Sequence, residues 1–178
     1  MISLYNTIGG VYMGVMDGNP KVEPLHYGEV TGLWSYVAAN NGLISGYEIS
    51  VNHTGDEDLK KILQDAIEMM KRHNKEVEEI LKNNGITPPP SLPGVPKANL
   101  EDIPAGARYV DTQISATVSV NVGQGLVACS MVMGQCTRED IAKSFAKYHM
   151  DWAMIGYKLL KLNKEKGWIA HPPLHKPE

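Results

Sequence analysis

A proline-rich stretch in the middle of the chain limits the fold more than any other feature. Between Gly85 and Val110 the residues include the run Pro88 to Pro90 and show no helical period, so this stretch is not itself a helix. On either side lie two long segments with helical apolar spacing. Within each pair the joining residues are few, so each pair must form an antiparallel hairpin. The stretch between the pairs is about 25 residues long, which is unusual inside a compact domain unless the connection has a task. A helix of ~27 residues is about 40 Å long, and an extended linker of this size spans ~80 Å. The linker can run the full length of a bundle and leave the second and third helices parallel. That single long crossover is the connectivity of ferritin-like folds. The expected fold is therefore all-α: one four-helix bundle over residues 26–178 with its crossover at 85–110, preceded by a loose arm at 1–25.

The four segments carry their own start and stop signals. The first is expected at 26–53, with Val30, Leu33, Trp34, Val37, Ile44, Tyr47 and Val51 at three- and four-residue spacing. His26 and Glu29 stand where a cap and its reciprocal carboxylate would stand. The second, at 55–84, opens on Thr54-Gly55-Asp56-Glu57, read as a capping box, and Asn83-Asn84-Gly85 supplies its stop. The third, at 111–136, conflicts with itself. Val118, Val120 and Val122 alternate with polar residues as in a strand, but the segment is too long for one. A helix is expected, with Ala116, Gly123, Gly125 and Ala128 small enough for close packing. The fourth, at 138–166, opens on Thr137-Arg138-Glu139-Asp140, read as a second capping box. Lys158, Lys161, Lys164 and Lys166 crowd its negative pole.

Composition excludes several classes. Hydrophobic residues make up 43% and charged residues 21%, as in an ordinary globular chain. A net charge of -3 gives no basic surface for nucleic acid, and no apolar run approaches the ~20 residues of a membrane span. The apolar stretch from Ile2 to Met16 lacks the basic flank and cleavage site of a secretion signal. A loose arm is expected there, with Met13 and Met16 as alternative starts. Cys129 and Cys136, seven residues apart on one helix, would stand about 10 Å apart, too far for a disulfide.

The stretches His26-Tyr27-Gly28-Glu29, Asn52 to Lys61, Leu126 to Gln135 and Leu162 to His175 carry a resemblance over about residues 13 to 178. The chain resembles an uncharacterised family of ferritin-like bundle proteins of spore-forming bacteria, whose members often carry the label of spore coat protein. The resemblance implies the fold and a link to sporulation: synthesis in the cytoplasm, and a place in the spore coat. It implies no activity, because the family has no catalytic residues to carry over.

The chemistry expected of such a bundle was sought in the residues. A di-iron or di-manganese bundle takes a Glu from each of two helices and a Glu-x-x-His from each of the others. The only such spacing here is Glu23 to His26, which straddles Pro24; the reversed spacing occurs at His26 to Glu29 and at His73 to Glu76. Counting from the turns puts Asn41, His73, Gln124, Tyr148 and His149 at one level of the bundle. Two readings attach to this layer: a small-ligand or mononuclear metal site, and, favoured because it holds no clear carboxylate, a hydrogen-bonded layer that fixes register. Glu48 is expected to pair with a lysine or with solvent. His53, Thr54 and Asp56 are explained by capping, and His171 and His175 by a solvated tail. Asp151 does not face His149's site, and Cys129 reads as a buried small residue.

The function expected from the residues is a non-enzymatic structural or assembly protein, with further copies of the chain or other coat proteins as partners. The alternative is a metal- or small-ligand-binding enzyme that uses the polar layer. No cofactor is expected, and a metal ion is left open.

Overall fold

The computed structural model of the chain describes residues 23–175 and, of the arm, Thr7–Ile8 and Val11–Tyr12. These two short strands, β1 and β2, pair antiparallel with Thr7 opposite Tyr12. The rest of the arm, including Met13 and Met16, lies outside the described residues. Four long helices follow: α1 (Tyr27–His53), α2 (Glu57–Asn83), α3 (Asp111–Gln135) and α4 (Glu139–Glu165). Each end falls within about two residues of its sequence expectation, as helix ends do.

Cross-helix contacts fix the directions. Along α2 and α4, Asp56 meets Lys166, Asp65 meets Lys158 and Arg72 meets Asp151. One partner climbs as the other descends, so α2 and α4 are antiparallel. Between α1 and α3 the same reversal runs from Thr54 with Asp111 to His26 with Gln135. With each hairpin also antiparallel, α2 and α3 are parallel, and the bundle is ferritin-like.

The crossover is a strap laid along α1. Trp34 Nε1 donates to the Thr87 carbonyl at 3.2 Å, Asn41 Nδ2 to that of Pro90 at 3.1 Å, and the Val95 amide to Glu48 Oε2 at 3.2 Å. Trp34, Asn41 and Glu48 stand seven residues apart, close to two full turns, so they line one side of the helix. Asn52 closes the row on both the Pro96 carbonyl and the Ala98 amide. Prolines leave this strap short of amide donors, and α1 side chains take up its free carbonyls. The strap ends in two 3-10 turns, Leu100–Asp102 and Ala105–Ala107, and the Tyr109 amide docks on His53 Nδ1. Trp34, expected in the core, is 41% exposed; it faces the strap rather than the bundle interior.

Two capping expectations need correction. Asp56, not Thr54, caps α2, accepting from the Asp58 and Leu59 amides at 3.0 and 2.9 Å. Thr54 is drawn away because its hydroxyl donates to Asp111 at the head of α3, at 2.6 Å. Before α4, Asp140 is engaged by the Arg138 guanidinium, and the Thr137 and Arg138 amides go to a carboxylate from α1 described below.

The third helix resolves its conflict by burying Val118 and Val122 while Val120 is 61% exposed; a strand would have put all three on one face. The expectation of no membrane-length apolar segment also meets an exception. Ala105–Gln135 is long and apolar enough to cross a bilayer by length and composition, with 28% of its most apolar stretch buried. In the bundle it forms one wall, packed on α4 and α1.

Close approach of α3 to α4 depends on Gly125. A Cβ there would sit 2.5 Å from Cδ2 and Cε2 of the buried Trp152 indole. Gly125→Ala should therefore overpack the interface and cost about 1–3 kcal/mol in urea unfolding. An unchanged midpoint would mean that α3 does not lie this close to Trp152.

Candidate functional site

The centre of the bundle holds a hydrogen-bonded chain drawn from three helices. His73 of α2, fully buried, places Nδ1 2.9 Å from the Tyr36 hydroxyl of α1 and Nε2 2.9 Å from Asp151 Oδ2 of α4. Trp152 Nε1 reaches Tyr36 Oη at 3.2 Å. An indole N–H only donates and a carboxylate only accepts. The protons are therefore placed in one direction: Trp152 donates to Tyr36, Tyr36 donates to His73 Nδ1, and the His73 Nε2–H donates to Asp151. Arg72 closes the outer end on the same Asp151 oxygen at 3.0 Å. Tyr148 stacks on the His73 ring at 4.0 Å between centroids and donates its hydroxyl to Glu76 at 2.7 Å. Cys129 of α3 approaches the Tyr36 oxygen at 3.9 Å.

Burial disfavours the imidazolium of His73 and outweighs the pull of Asp151, so its pKa lies below the ordinary value. Burial raises the phenols of Tyr36 and Tyr148, with Glu76 adding to the rise at Tyr148. Burial likewise pushes the Cys129 thiol up to about 11, which makes it a poor nucleophile at neutral pH. The chain is a set of neutral donors and acceptors ending on one carboxylate at the surface.

A second buried network sits beside it. Asn40 donates to Asn74 at 2.9 Å, Asn74 to Asn41 at 2.8 Å, and Asn41 to the strap at Pro90. Three asparagines thus bind α1, α2 and the strap together. Among the described residues, Tyr47 Oη is the buried side-chain polar atom with no hydrogen-bond partner.

At the end of the bundle, Glu29 is almost fully buried. His26 Nδ1 accepts the Gly28 and Glu29 amides, and Glu29 Oε2 accepts the His26 amide at 3.1 Å. The other oxygen reaches across the bundle to the Thr137 and Arg138 amides at 2.8 and 3.0 Å. One carboxylate therefore caps two parallel helices, α1 and α4. Burial opposes its charge, but the amides of Arg138, His26 and Thr137 outweigh burial and hold the carboxyl below its usual range.

Of the five residues placed in one layer by counting, His73, Tyr148 and Asn41 are buried, His149 is half-buried, and Gln124 is exposed. Gln124 stands close to the expected height but on the wrong side of α3. Its neighbour Gly125 faces Trp152, and one residue is about 100° of rotation. His149 likewise sits one residue away from Tyr148 on α4 and takes no part in the chain. Asp151, set aside because it does not share a face with His149, is the carboxylate of the layer; its partner comes from another helix. Tyr36, Asn40 and Asn74 were missed; Glu29 closes the capping box with His26 as expected, but its reach to α4 was not foreseen, and Glu76, noted for its spacing from His73, instead takes the Tyr148 hydroxyl. The antiparallel register of α2 on α4 was the signal that could have paired His73 with Asp151. Glu48 pairs with Lys71 at 2.8 Å, as its position near the turn suggested.

One cleft of about 310 Å³ touches the outer side of Asp151, and one of about 280 Å³ lies under the strap beside Asn41 and Asn74; neither is lined by His73 or Tyr36. Among the described residues, no three His, Cys, Asp or Glu side chains gather where they could hold a metal ion. The arrangement can move a proton between Tyr36, His73 and Asp151, and it meets a cleft at its outer end, beside Arg72 and Asp151.

Replacing His73 alone by Leu leaves Tyr36 and Asp151 without their partner and should cost about 1–3 kcal/mol. In a double-mutant cycle with Tyr36→Phe the two losses should not add; full additivity would break the chain as described. Because folding lowers the pKa of His73, the unfolded chain binds its proton first. Stability should be complete above the ordinary imidazole pKa of about 6.5 and decline as pH falls below it, and His73→Leu should remove that slope. Glu29 contributes stability that is full above the ordinary carboxylate range and lost as pH falls through its lowered folded-state pKa. Glu29→Gln should cost about 2–3 kcal/mol at neutral pH and flatten that acid limb of the stability curve.

The chain is similar to one family and to three known proteins. The family model described as a protein of unknown function (DUF3231) matches residues 13–178. The "Uncharacterized protein YvdQ" of Bacillus subtilis (strain 168) is 50% identical over 163 residues, 92% of this chain and 96% of that protein. Among solved structures, that of a "putative spore coat protein" (BH2358) from Bacillus halodurans C-125 is 53% identical, with a TM-score of 0.87 over 89% of this chain and 100% of that one. A conserved hypothetical protein, rv2844, from Mycobacterium tuberculosis aligns at a TM-score of 0.64 over 78% of this chain and 98% of its own, at 15% identity; that likeness shows the fold alone.

Proposed function

The chain belongs to the DUF3231 family, and on that premise we propose that it is a non-enzymatic structural protein that assembles into the spore coat. The observation that carries this reading is the closed interior. From Trp152 through Tyr36 to His73 the hydrogen-bonding groups are spent on one another and end on Asp151 Oδ2. A catalytic relay needs a reacting atom within reach of its base, and the clefts stop short of His73. Such a network does a different service, holding helices in one register at the cost of some stability. Support from outside the chain is the name borne by the Bacillus halodurans relative. The partners are then proteins, and the bundle surface is what acts.

A second reading has one observation in its favour. The cleft of about 280 Å³ under the strap brings Asn41 and Asn74 to the edge of a small, mostly apolar space that Glu48 and Lys71 also border. A small-ligand site there would keep the alternative of a binding protein or enzyme alive.

Following the protein through sporulation tests the first reading. It should accumulate as spores form and be extracted with the coat fraction. Flat expression in vegetative cells, with none in purified spores, would overturn it. Elemental analysis of protein from its own host separates the second reading: stoichiometric iron, manganese or zinc, with an unfolding midpoint lowered by a chelator, would favour a metal-dependent activity.

A further inference from the structure

We propose that the cleft between the strap, α1 and α2 binds a small monocarboxylate with a short apolar body; this rests on the small-ligand reading of that cleft and names its ligand class. The most buried residues of its lining are Asn41 and Asn74, 8% and 5% exposed. A backbone carbonyl only accepts, so Pro90 fixes the direction of the asparagine chain. Asn41 turns Nδ2 to Pro90, which leaves Asn41 Oδ1 to accept from Asn74 Nδ2 and Asn74 Oδ1 to accept from Asn40. A carboxamide nitrogen carries two hydrogens. Asn41 and Asn74 each use one in this chain, and the second finds no acceptor among the described residues. A buried N–H without an acceptor is destabilising, and both residues border the cleft, where a ligand can supply one. The unmet groups are donors, so the ligand is an acceptor.

Charge sets the sign of the ligand. Glu48 is held by Lys71 and by the Val95 amide, and Glu78 by Lys82. Lys75, which also borders the cleft, has no carboxylate partner among the described residues. Lys71, Asn74, Lys75 and Glu78 follow the three- and four-residue spacing of one helix face, so the Lys75 ammonium and the Asn74 amide address the same space. The engaged carboxylates leave no anionic oxygen set for a metal ion. A monoanion matches the single unpaired ammonium, whereas a phosphate dianion exceeds it.

The rest of the wall fixes the body of the ligand. Ile44, Leu92 and Pro93 make most of the exposed lining apolar, which suits a hydrocarbon group behind the carboxylate. A volume of about 280 Å³ lies at the lower edge of the ~300–1,000 Å³ of ligand pockets. One ring or a short branched chain fits; a nucleotide does not.

Titration of the nitrogen-15-labelled full chain with benzoate, benzamide and benzylamine, followed by amide shifts, is the test. Benzoate should move the amides of Ser91, Leu92 and Gly94 and saturate at one per chain. Benzamide and benzylamine, of the same size, should bind about tenfold more weakly or less. Lys75 is exposed, so Lys75→Gln should keep the remaining amide pattern while weakening benzoate about tenfold and leaving benzamide unchanged. Lys75→Glu should invert the order and favour benzylamine, and Lys164→Gln at the end of α4 should change nothing. Strap amides that stay still with benzoate, or a Lys75→Gln affinity equal to that of the wild type, would overturn the proposal. The failures separate. Benzylamine or benzamide held under the strap in place of benzoate sinks the carboxylate and keeps the small-ligand reading; strap amides unmoved by all three sink both. Neither result bears on the coat assignment, which the spore fraction decides.

Discussion

His73 lies between Tyr36 and Asp151, residues far apart in sequence that belong to different hairpins. Its two ring nitrogens are each matched to one partner, and the indole of Trp152 completes the chain from the other side. The same indole rests on Gly125 of α3, so all four helices meet at this level. Apolar contacts alone allow helices to slide by a turn with little penalty, because one leucine serves much like another. A buried imidazole with two assigned partners does not allow it. Slippage of α2 by one turn would strand a donor on one side and an acceptor on the other in a medium without water.

Much of the architecture was legible because its determinants are local. The stop at Asn83-Asn84-Gly85 rests on the need for positive φ, and Gly85 indeed has φ 74. The proline content of 88–90 forced a crossover, and its length implied a strap. The side chains that hold the strap were not foreseen, since nothing in a helical stripe distinguishes Asn41 or Glu48 as a partner for a carbonyl or amide almost fifty residues away. Capping failed for a related reason. Thr54 and Asp140 have the right types at the right spacing, but Asp111 claims the Thr54 hydroxyl from across the bundle and the nearby Arg138 guanidinium claims the Asp140 carboxylate. The polar layer was half legible. Counting from turns fixes height along the axis and leaves rotation free, so His73 and Tyr148 were placed while Gln124 was set on the side it does not occupy. Rotation is decided by which neighbour is small enough to let another helix approach, and that was Gly125.

The molecule divides its polar and apolar groups in an uneven way. Polar groups inside are consumed in pairs and chains, and Glu29 spends a full carboxylate on capping two helices at once. Apolar groups outside are left on α3 and α4, and also on α1 and the strap at Tyr27, Ile49 and Leu92. Chemistry would call for the opposite, a reactive group with free valences in a sheltered space.

The central claim is that His73 is a neutral structural link with its proton on Nε2. Nitrogen-15 NMR of histidine-labelled protein, expressed in its own host and titrated from neutral to acid, reads this directly. The account predicts that Nε2 carries the proton and Nδ1 accepts one hydrogen bond, with the ring neutral at pH values where a free imidazole is already charged. An imidazole that titrates at its ordinary value, or nitrogen shifts that change when a chelator is added, would contradict it.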